Sequence, residues 1–387
     1  MKQHRGFIPV GLVMMLAFCG NAMAWPGFDW NTWQEMTKQP KLLLDTDQAG
    51  RAELYPLLQY APGVESPIET EEEWEDKRDL ILDTLKQILG QPTSIAQGEG
   101  SLEVLEDEEL ALYRRLRVHI PGERGDPIPA YILLPHTLVT SPAPAMIVLH
   151  QTVAQGKREA VGIEGDPDMA FAVELAEQGV ICIAPDVIGF GERIPAGAQP
   201  YADAHDFSLK HPDWSFMGKM NWDVSRIVDY LETRPDVNKN KIGIMGHSHG
   251  AYGSIMAAIH EPRIAAVIAS CGFTTLRGDP RPDRWSHLTA LMPRLGYYVE
   301  DISSAPLDWH EIIGCLAPRP YFNWSTLDDD IFPNTKNLAS VYKQVRGVYA
   351  LYDAEDKFSG NLTPGKHSFS KGGRMLAFSW LRAQLQF

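Results

Sequence analysis

Cysteine is scarce: four in 387 residues cannot build a disulfide framework. Cys19 falls in a leader-like segment, and Cys182, Cys271 and Cys315 are an odd set spread widely along the chain. Cys182 and Cys271 sit in apolar runs where a thiol behaves as a small hydrophobe, so all three read as structural, with room for a Cys271–Cys315 bridge. Basic clusters are missing as well, none exceeding two residues, while Asp plus Glu (50) outnumber Lys plus Arg (35) for a formal charge of -15. Without a basic face to neutralise phosphates, nucleic acid is excluded as an expected partner. The chain has no H-E-x-x-H and no paired cysteines, so no metal is implied. Repeats and low-complexity tracts are absent. What remains is 44% hydrophobic, 10% aromatic and 22% charged, with 32 Gly and 28 Pro. That balance belongs to a globular protein with a sizeable core, here expected as one main domain with appendages.

The N-terminus reads as an address. Lys2, His4 and Arg5 precede a short apolar stretch, Phe7 to Phe18, and Ala22-Met23-Ala24 places small residues where a signal peptidase reads. The stretch is shorter than the roughly 20 residues a membrane span requires, so residues 1–24 are expected to be cleaved as a signal peptide and the product to be secreted or periplasmic, with no stable span. Phe18 ahead of Cys19 argues against a lipoprotein. Residues 25–95 form an N-terminal extension with one amphipathic helix, in which Thr70 and Glu73 make a capping box and Trp74, Ile81, Leu85, Ile88 and Leu89 share a face until Gly90 and Pro92.

Residues 96–387 carry the main domain. Strands are expected at Leu102–Leu105, Leu110–Ile120 and Ile128–Leu134, an antiparallel opening. Apolar runs then recur at Ala145–Leu149, Val180–Ala184, Ile242–Met245, Ile264–Ser270 and Pro320–Trp324, separated by helical patterns at Asp168–Gln178, Met220–Leu231, Gly250–His260, Thr335–Tyr352 and Gly372–Leu385. Continuous apolar runs alternating with helices give an α/β class with a mostly parallel sheet covered on both faces. The Gly-, Pro- and aromatic-rich stretches 189–217 and 277–301 both follow strands, where an open α/β sheet binds ligands.

The segment Ile242-Gly243-Ile244-Met245-Gly246-His247-Ser248-His249-Gly250 is a buried strand, a G-x-S-x-G and a small-residue helix start. A serine on so tight a strand-to-helix turn needs small residues two before and two after it, and the helix behind it aims N–H groups at growing negative charge. A serine hydroxyl needs a base, and the base an orienting acid; a G-x-S-x-G elbow on an α/β sheet carries the expectation of the chain order Ser, acid, His. His367, in Thr363-Pro364-Gly365-Lys366-His367 before the last helix, fits the base. The acid falls among Asp328, Asp329 and Asp330 at a strand end, with Asp329 preferred. The backbone N–H of His249, joined by Thr152 or Gln151 from the loop after the first parallel strand, would hold the oxyanion. Flanking a strained serine, His247 and His249 should diverge instead of sharing a metal. Arg277, Trp285 and Trp222 are candidate pocket residues, with Arg294 beside them.

Together, His150-Gln151, Pro185-Asp186-Val187-Ile188-Gly189-Phe190-Gly191-Glu192-Arg193, Gly246-His247-Ser248-His249-Gly250, Ile331-Phe332-Pro333 and Gly365-Lys366-His367 resemble the α/β-hydrolase superfamily over about residues 70–387. Within it the chain is similar to the dienelactone-hydrolase-like and acetyl-xylan-esterase-like branch. Ser248 departs from members with a cysteine nucleophile, and His150-Gln151 from the usual His-Gly. The resemblance implies an α/β-hydrolase fold, with 96–387 as the catalytic domain, and a cofactor-free serine esterase for short-acyl or carbohydrate esters. The rivals are a lactonase or dienelactone-type hydrolase, a peptidase, and a binding protein on the same fold. Oligomeric state is not readable.

Overall fold

Strands that are apolar on both sides need cover on both sides, and one nine-stranded sheet supplies the geometry for it. The computed structural model describes residues 28–42, 54–60, 67–92, 94–98, 100–333 and 336–387. The expected leader, 1–24, lies outside them. The strands are β1 (Glu103–Glu109), β2 (Tyr113–Glu123), β3 (Asp126–Pro135), β4 (Ala143–Leu149), β5 (Ile181–Pro185), β6 (Val237–His247), β7 (Ala266–Ser270), β8 (Tyr321–Thr326) and β9 (Phe358–Thr363). Their order is β1-β2-β3-β5-β4-β6-β7-β8-β9. The opening β1 to β3 and the β3–β5 pair are antiparallel; β5, β4, β6, β7, β8 and β9 run parallel. This is an α/β-hydrolase fold.

Among the described residues ten α-helices accompany the sheet: α1 (Trp30–Thr37), α2 (Glu71–Leu89), α3 (Lys157–Ala160), α4 (Phe171–Ala176), α5 (Ala204–Lys210), α6 (Phe216–Thr233), α7 (His249–His260), α8 (Trp309–Gly314), α9 (Lys336–Leu351) and α10 (Lys371–Leu385). The period-two alternation of a strand splits β4 between two cores. Ala145, Ile147 and Leu149 join Trp74, Val224, Ile255 and Val345 on one face, while Met146 and Val148 join Leu175, Phe378 and Leu381 on the other. Every side chain of β4 is buried, which explains the unbroken apolar run.

Several expectations are corrected. β1 continues through Glu106, Asp107 and Glu108, because this edge strand is held by charge: those residues pair with Arg117, Arg114 and Arg115 of β2. Leu110–Leu112 form the turn into β2, closed by Leu110 N–H on the Tyr113 carbonyl at 3.0 Å, instead of opening the strand. The expected helix over 168–178 divides into a 3₁₀ turn, Pro167–Met169, capped by the Asp166 carboxylate, and α4. β9 escaped the sequence reading because Phe-Ser-Gly-Asn-Leu-Thr carries little β-former signal. Cys182, Cys271 and Cys315 are all free and buried, so no Cys271–Cys315 bridge forms.

Residues of the N-terminal extension share the main core. The capping box of α2 forms as its sequence requires: Thr70 Oγ1 accepts from Glu73 N–H at 3.2 Å and Glu73 Oε2 accepts from Thr70 N–H at 3.1 Å. Lys77 on the same helix is buried, its ammonium donating to the carbonyls of Leu57 at 2.7 Å and Gln59 at 2.8 Å, which ties 54–60 to α2. Trp74 is fully buried against Leu57 and Gly314. Trp74→Ala is therefore expected to cost about 3–5 kcal/mol of stability, as a deleted core aromatic does. Urea denaturation should show it as one shifted transition of the whole protein; an unchanged midpoint would separate α2 from the fold.

Candidate active site

The turn between β6 and α7 is strained. Ser248 occupies it at φ 53°, ψ −116°, a conformation a side chain adopts only when its surroundings impose it. Two close approaches impose it here. A Cβ on Gly246 would lie 2.3 Å from the Gly250 carbonyl carbon, and one on Gly250 would lie 2.1 Å from the Leu149 carbonyl oxygen, so both positions exclude any side chain. Ser248 N–H is anchored to the Ser270 carbonyl of β7 at 2.8 Å. As first residue of α7, His249 has no intrahelical acceptor for its own N–H.

Two loops at the ends of β8 and β9 deliver the other two candidates. Leu327 N–H donates to the Thr363 carbonyl at 2.8 Å and Asp328 N–H to the Gly365 carbonyl at 3.0 Å, so the acid loop and the histidine loop are zipped together. Of the three aspartates, Asp328 and Asp330 are exposed and Asp329 is buried. Asp329 Oδ1 accepts from the N–H of Ile331 at 2.9 Å and Phe332 at 2.8 Å, and His367 Nδ1 lies 2.8 Å from Oδ2 and 3.0 Å from Oδ1. Burial works against the charge of Asp329, yet the hydrogen bond and charge of His367, with the two backbone donors, hold its pKa below the usual carboxylate value. With Nδ1–H given to the acid, Nε2 is the basic nitrogen. The His367 ring lies 4.7 Å from the ring of His247, the residue before Ser248.

The loop after β4 is braced at both ends. His150 Nδ1 bonds to the Gln151 carbonyl at 2.7 Å while its Nε2 accepts from Val187 N–H at 3.3 Å. At the other end the buried Asp186 accepts from Lys157 N–H at 2.8 Å and from the Lys157 ammonium at 2.5 Å. The Gln151 amide is engaged by Glu159 at 3.0 Å. This bracing fixes the segment that contains the Gln151 and Thr152 backbone N–H groups.

His247 and His249 do diverge. His247 Nδ1 meets Ser270 Oγ at 3.0 Å, whereas His249 stacks on His150 at 6.1 Å and contacts Phe190 at 5.0 Å. Burial, with His150 beside it, drops the His249 pKa to about 3, so the ring is neutral. Cys271, Asp329 and His367 place potential metal-ligand atoms within 4.8 Å of one another. Asp329 and His367 already satisfy each other there, and burial pushes the Cys271 thiol up to about 12.

The candidate pocket residues have mixed surroundings. Trp285 is buried 4.8 Å from Tyr252, 4.9 Å from Trp309 and 6.1 Å from Phe332. The Arg277 guanidinium bonds to Asp308 at 3.3 Å and to the Ala305 carbonyl at 2.7 Å, fastening its own loop. Trp222 stands between Trp214 and the cations of Lys219 and Arg226. Arg294 bonds to Gln87 and Gln39 and borders a surface cleft of about 400 Å³, which contains none of Ser248, Asp329 and His367. Sequence reasoning gave Tyr252 no place at the site and named Phe332 only within the Ile331-Phe332-Pro333 turn. Phe332 lies 5.8 Å from the His367 ring, and Tyr252 is one helical turn beyond Ser248, a spacing that places both on one face.

Comparison with known proteins agrees with this architecture. The Abhydrolase family model matches residues 59–276, more than half of the chain. The chain belongs to the Abhydrolase family. Ser248 lies inside that match; Asp329 and His367 lie beyond it. A 4-O-methyl-glucuronoyl methylesterase of Wolfiporia cocos is 30% identical over 166 residues, 38% of this chain and 40% of that protein. The putative hydrolase YtaP of Bacillus subtilis is 26% identical over 259 residues, 65% of this chain and 81% of that protein. The glucuronoyl esterase structure from Solibacter usitatus superposes with a TM-score of 0.65 at 16% identity, covering 87% of this Abhydrolase chain and 98% of that one. A putative acetyl xylan esterase from Bacteroides fragilis gives 0.60 at 15% identity, covering 86% and 80%. At such identities the structural matches speak for the fold. The chain spans less than half the length of the glucuronoyl methylesterases it matches. No helix among the described residues is long and apolar enough to cross a membrane.

Proposed function

We propose that this Abhydrolase protein is an exported serine esterase for carboxylic esters of carbohydrates, with Ser248 as nucleophile, His367 as general base and Asp329 as the acid that orients it. The observation that carries the reading is the 2.8 Å pair of His367 Nδ1 with buried Asp329, its ring 4.7 Å from that of His247, the chain neighbour of a serine held at φ 53°. In this mechanism Ser248 Oγ attacks the ester carbonyl as its proton passes to His367 Nε2, and the backbone N–H groups of His249 and of Thr152 or Gln151 receive the oxyanion. Collapse of the tetrahedral intermediate expels the alcohol, which takes the proton from His367 and leaves an acyl-serine. Water then attacks by the same route and releases the carboxylic acid, so the cycle balances with water as the only co-reactant. Asp329 keeps the imidazole in the productive tautomer and balances the charge it acquires.

The substrate class is supported by relatives named as glucuronoyl methylesterases and by the likeness to a putative acetyl xylan esterase, names that refer to esters on sugars. Signal-like residues 1–24 support export, with 25–95 as an extension of a catalytic domain at 96–387. The test is a panel of 4-nitrophenyl acetate, butyrate and octanoate, methyl glucuronate and acetylated xylo-oligosaccharides, with a lactone and a peptide amide as controls, alongside a fluorophosphonate probe. Turnover of the short and carbohydrate esters, with the probe found on the Ser248 peptide, is expected. Inert esters and an unlabelled Ser248 would overturn the reading.

A further inference from the structure

Resting on that serine-esterase reading for its consequence, we propose that Cys271, Asp329 and His367 form a binding site for a thiophilic divalent cation of the zinc class, and that its occupation switches the esterase off. The three residues stand at the carboxyl ends of neighbouring parallel strands: Cys271 directly after β7, Asp329 three residues beyond β8 and His367 four beyond β9. Cys271 enters its turn at φ 49°, with its N–H on the Trp324 carbonyl at 2.7 Å. Its thiol lies 3.6 Å from the Ser368 carbonyl, one residue past His367, and 3.8 Å from Thr326 Oγ1 at the end of β8. The sulfur is thus wedged between the strand that leads to the aspartate and the loop that carries the histidine. Cys271 Sγ, a carboxylate oxygen of Asp329 and a ring nitrogen of His367 all come within 4.8 Å of one another.

Sulfur, imidazole nitrogen and carboxylate oxygen together suit zinc or cadmium, whereas calcium and magnesium take oxygen alone. In a tetrahedral zinc site the donor atoms stand about 3.3–3.6 Å apart, so the thiol has to draw in by roughly 1 Å, the scale of a partial turn of its side chain. Three protein ligands leave the fourth position to water. Asp329 can offer Oδ2, because Oδ1 accepts from Ile331 and Phe332 and holds the loop in place. On binding, the thiol proton leaves to solvent and the sulfur gives its electron pair to the cation. His367 faces the carboxylate with Nδ1. A cation that takes this nitrogen leaves the neutral ring its single proton on Nε2, the atom that has to accept the proton of Ser248. A cation on Nε2 blocks the base directly. In either geometry the imidazole stops acting as a base while Ser248 itself is untouched.

Cadmium chloride is the probe for binding, since the cadmium–thiolate charge-transfer band reports a metal–sulfur bond whether or not any substrate is turned over. In the full chain, with Cys19→Ser as the common background, the band should saturate at one equivalent and the melting temperature should rise. Cys271→Ser and Cys271→Ala should both lack the band, while the buried thiols of Cys182 and Cys315 remain in each as internal controls. The alanine variant keeps the comparison open where a buried serine hydroxyl upsets the fold, which melts without metal reveal. Zinc should inhibit hydrolysis of 4-nitrophenyl acetate, with EDTA restoring the rate. Each Cys271 variant, read against its own metal-free rate, should need at least about 10–100-fold more zinc, the loss that even an outer partner of a metal ligand causes. No band in the parent, a band that persists without Cys271, a rate that zinc leaves unchanged, or equal inhibition of parent and variants would overturn the proposal. Esters left inert by the metal-free parent would bring down the serine-esterase reading instead, and the cadmium band would still decide the site.

Discussion

Ser248→Ala is expected to lower kcat on 4-nitrophenyl acetate about 10⁶-fold, and His367→Ala to do nearly the same. The two should not add: the double variant should be no slower than either single one, because a hydroxyl without its base and a base without its hydroxyl fail at the same proton transfer. The folded state should survive the loss. The turn at Ser248 is imposed by the close approach of Gly246 to Gly250 and of Gly250 to the Leu149 carbonyl, which are backbone approaches. A left-handed side chain costs of order 1–3 kcal/mol, and alanine bears that cost as serine does. Ser248→Gly relieves the strain at the expense of about 0.5–1 kcal/mol in unfolded-chain entropy, so it should be inactive and about 1 kcal/mol more stable. Kinetics paired with thermal melts check both limbs. A Ser248→Gly protein that melts lower than wild type would mean the positive φ stores no strain, and a Ser248→Ala protein within tenfold of wild type would remove the nucleophile from Ser248.

The parts of the site legible in the sequence are those where sterics leave one solution. At Gly246 and Gly250 any Cβ meets backbone within 2.3 Å, so the G-x-S-x-G pattern is a direct projection of the turn onto residue type. The choice of the proposed acid was left open by the sequence alone. Three consecutive aspartates are equivalent until the turn forms, and only the folded loop sends Asp329 to the N–H groups of Ile331 and Phe332 while Asp328 and Asp330 face solvent. Other features depend on partners that no pattern connects. Arg277 reads as a charge in a pocket wall, yet its partner Asp308 is 31 residues away. The N-terminal helix α1 has no sequence link to the 277–301 stretch, but Trp30 stacks on His287 at 4.6 Å and donates to the Pro293 carbonyl at 2.8 Å.

Asp329→Asn should leave the shape of the site almost intact and cut kcat about 10⁴-fold, the loss expected when the orienting carboxylate becomes an amide and the imidazole is held in the wrong tautomer. The amide oxygen of the new side chain can still accept from Ile331 and Phe332, so the loop keeps its two backbone partners. What disappears is the charge that an imidazolium at His367, 2.8 Å away, would require. The same substitution has a signature in stability against pH. Asp329 has a folded pKa below its unfolded value near 3.9, so in the wild type it contributes stability that is fully present above about pH 4 and is lost as the pH falls through the depressed folded value. An amide does not titrate and contributes nothing of the kind. The wild type should therefore lead the variant in melting temperature at pH 5 to 7, and the gap should close on the acid side of pH 4. Circular-dichroism melts across pH 2.5 to 7, with kcat measured at pH 7, test both statements. A gap that widens toward low pH would reverse the sign and show that burial, which disfavours the carboxylate, outweighs His367 and the two backbone donors. A variant with wild-type kcat would transfer the orienting role to another group.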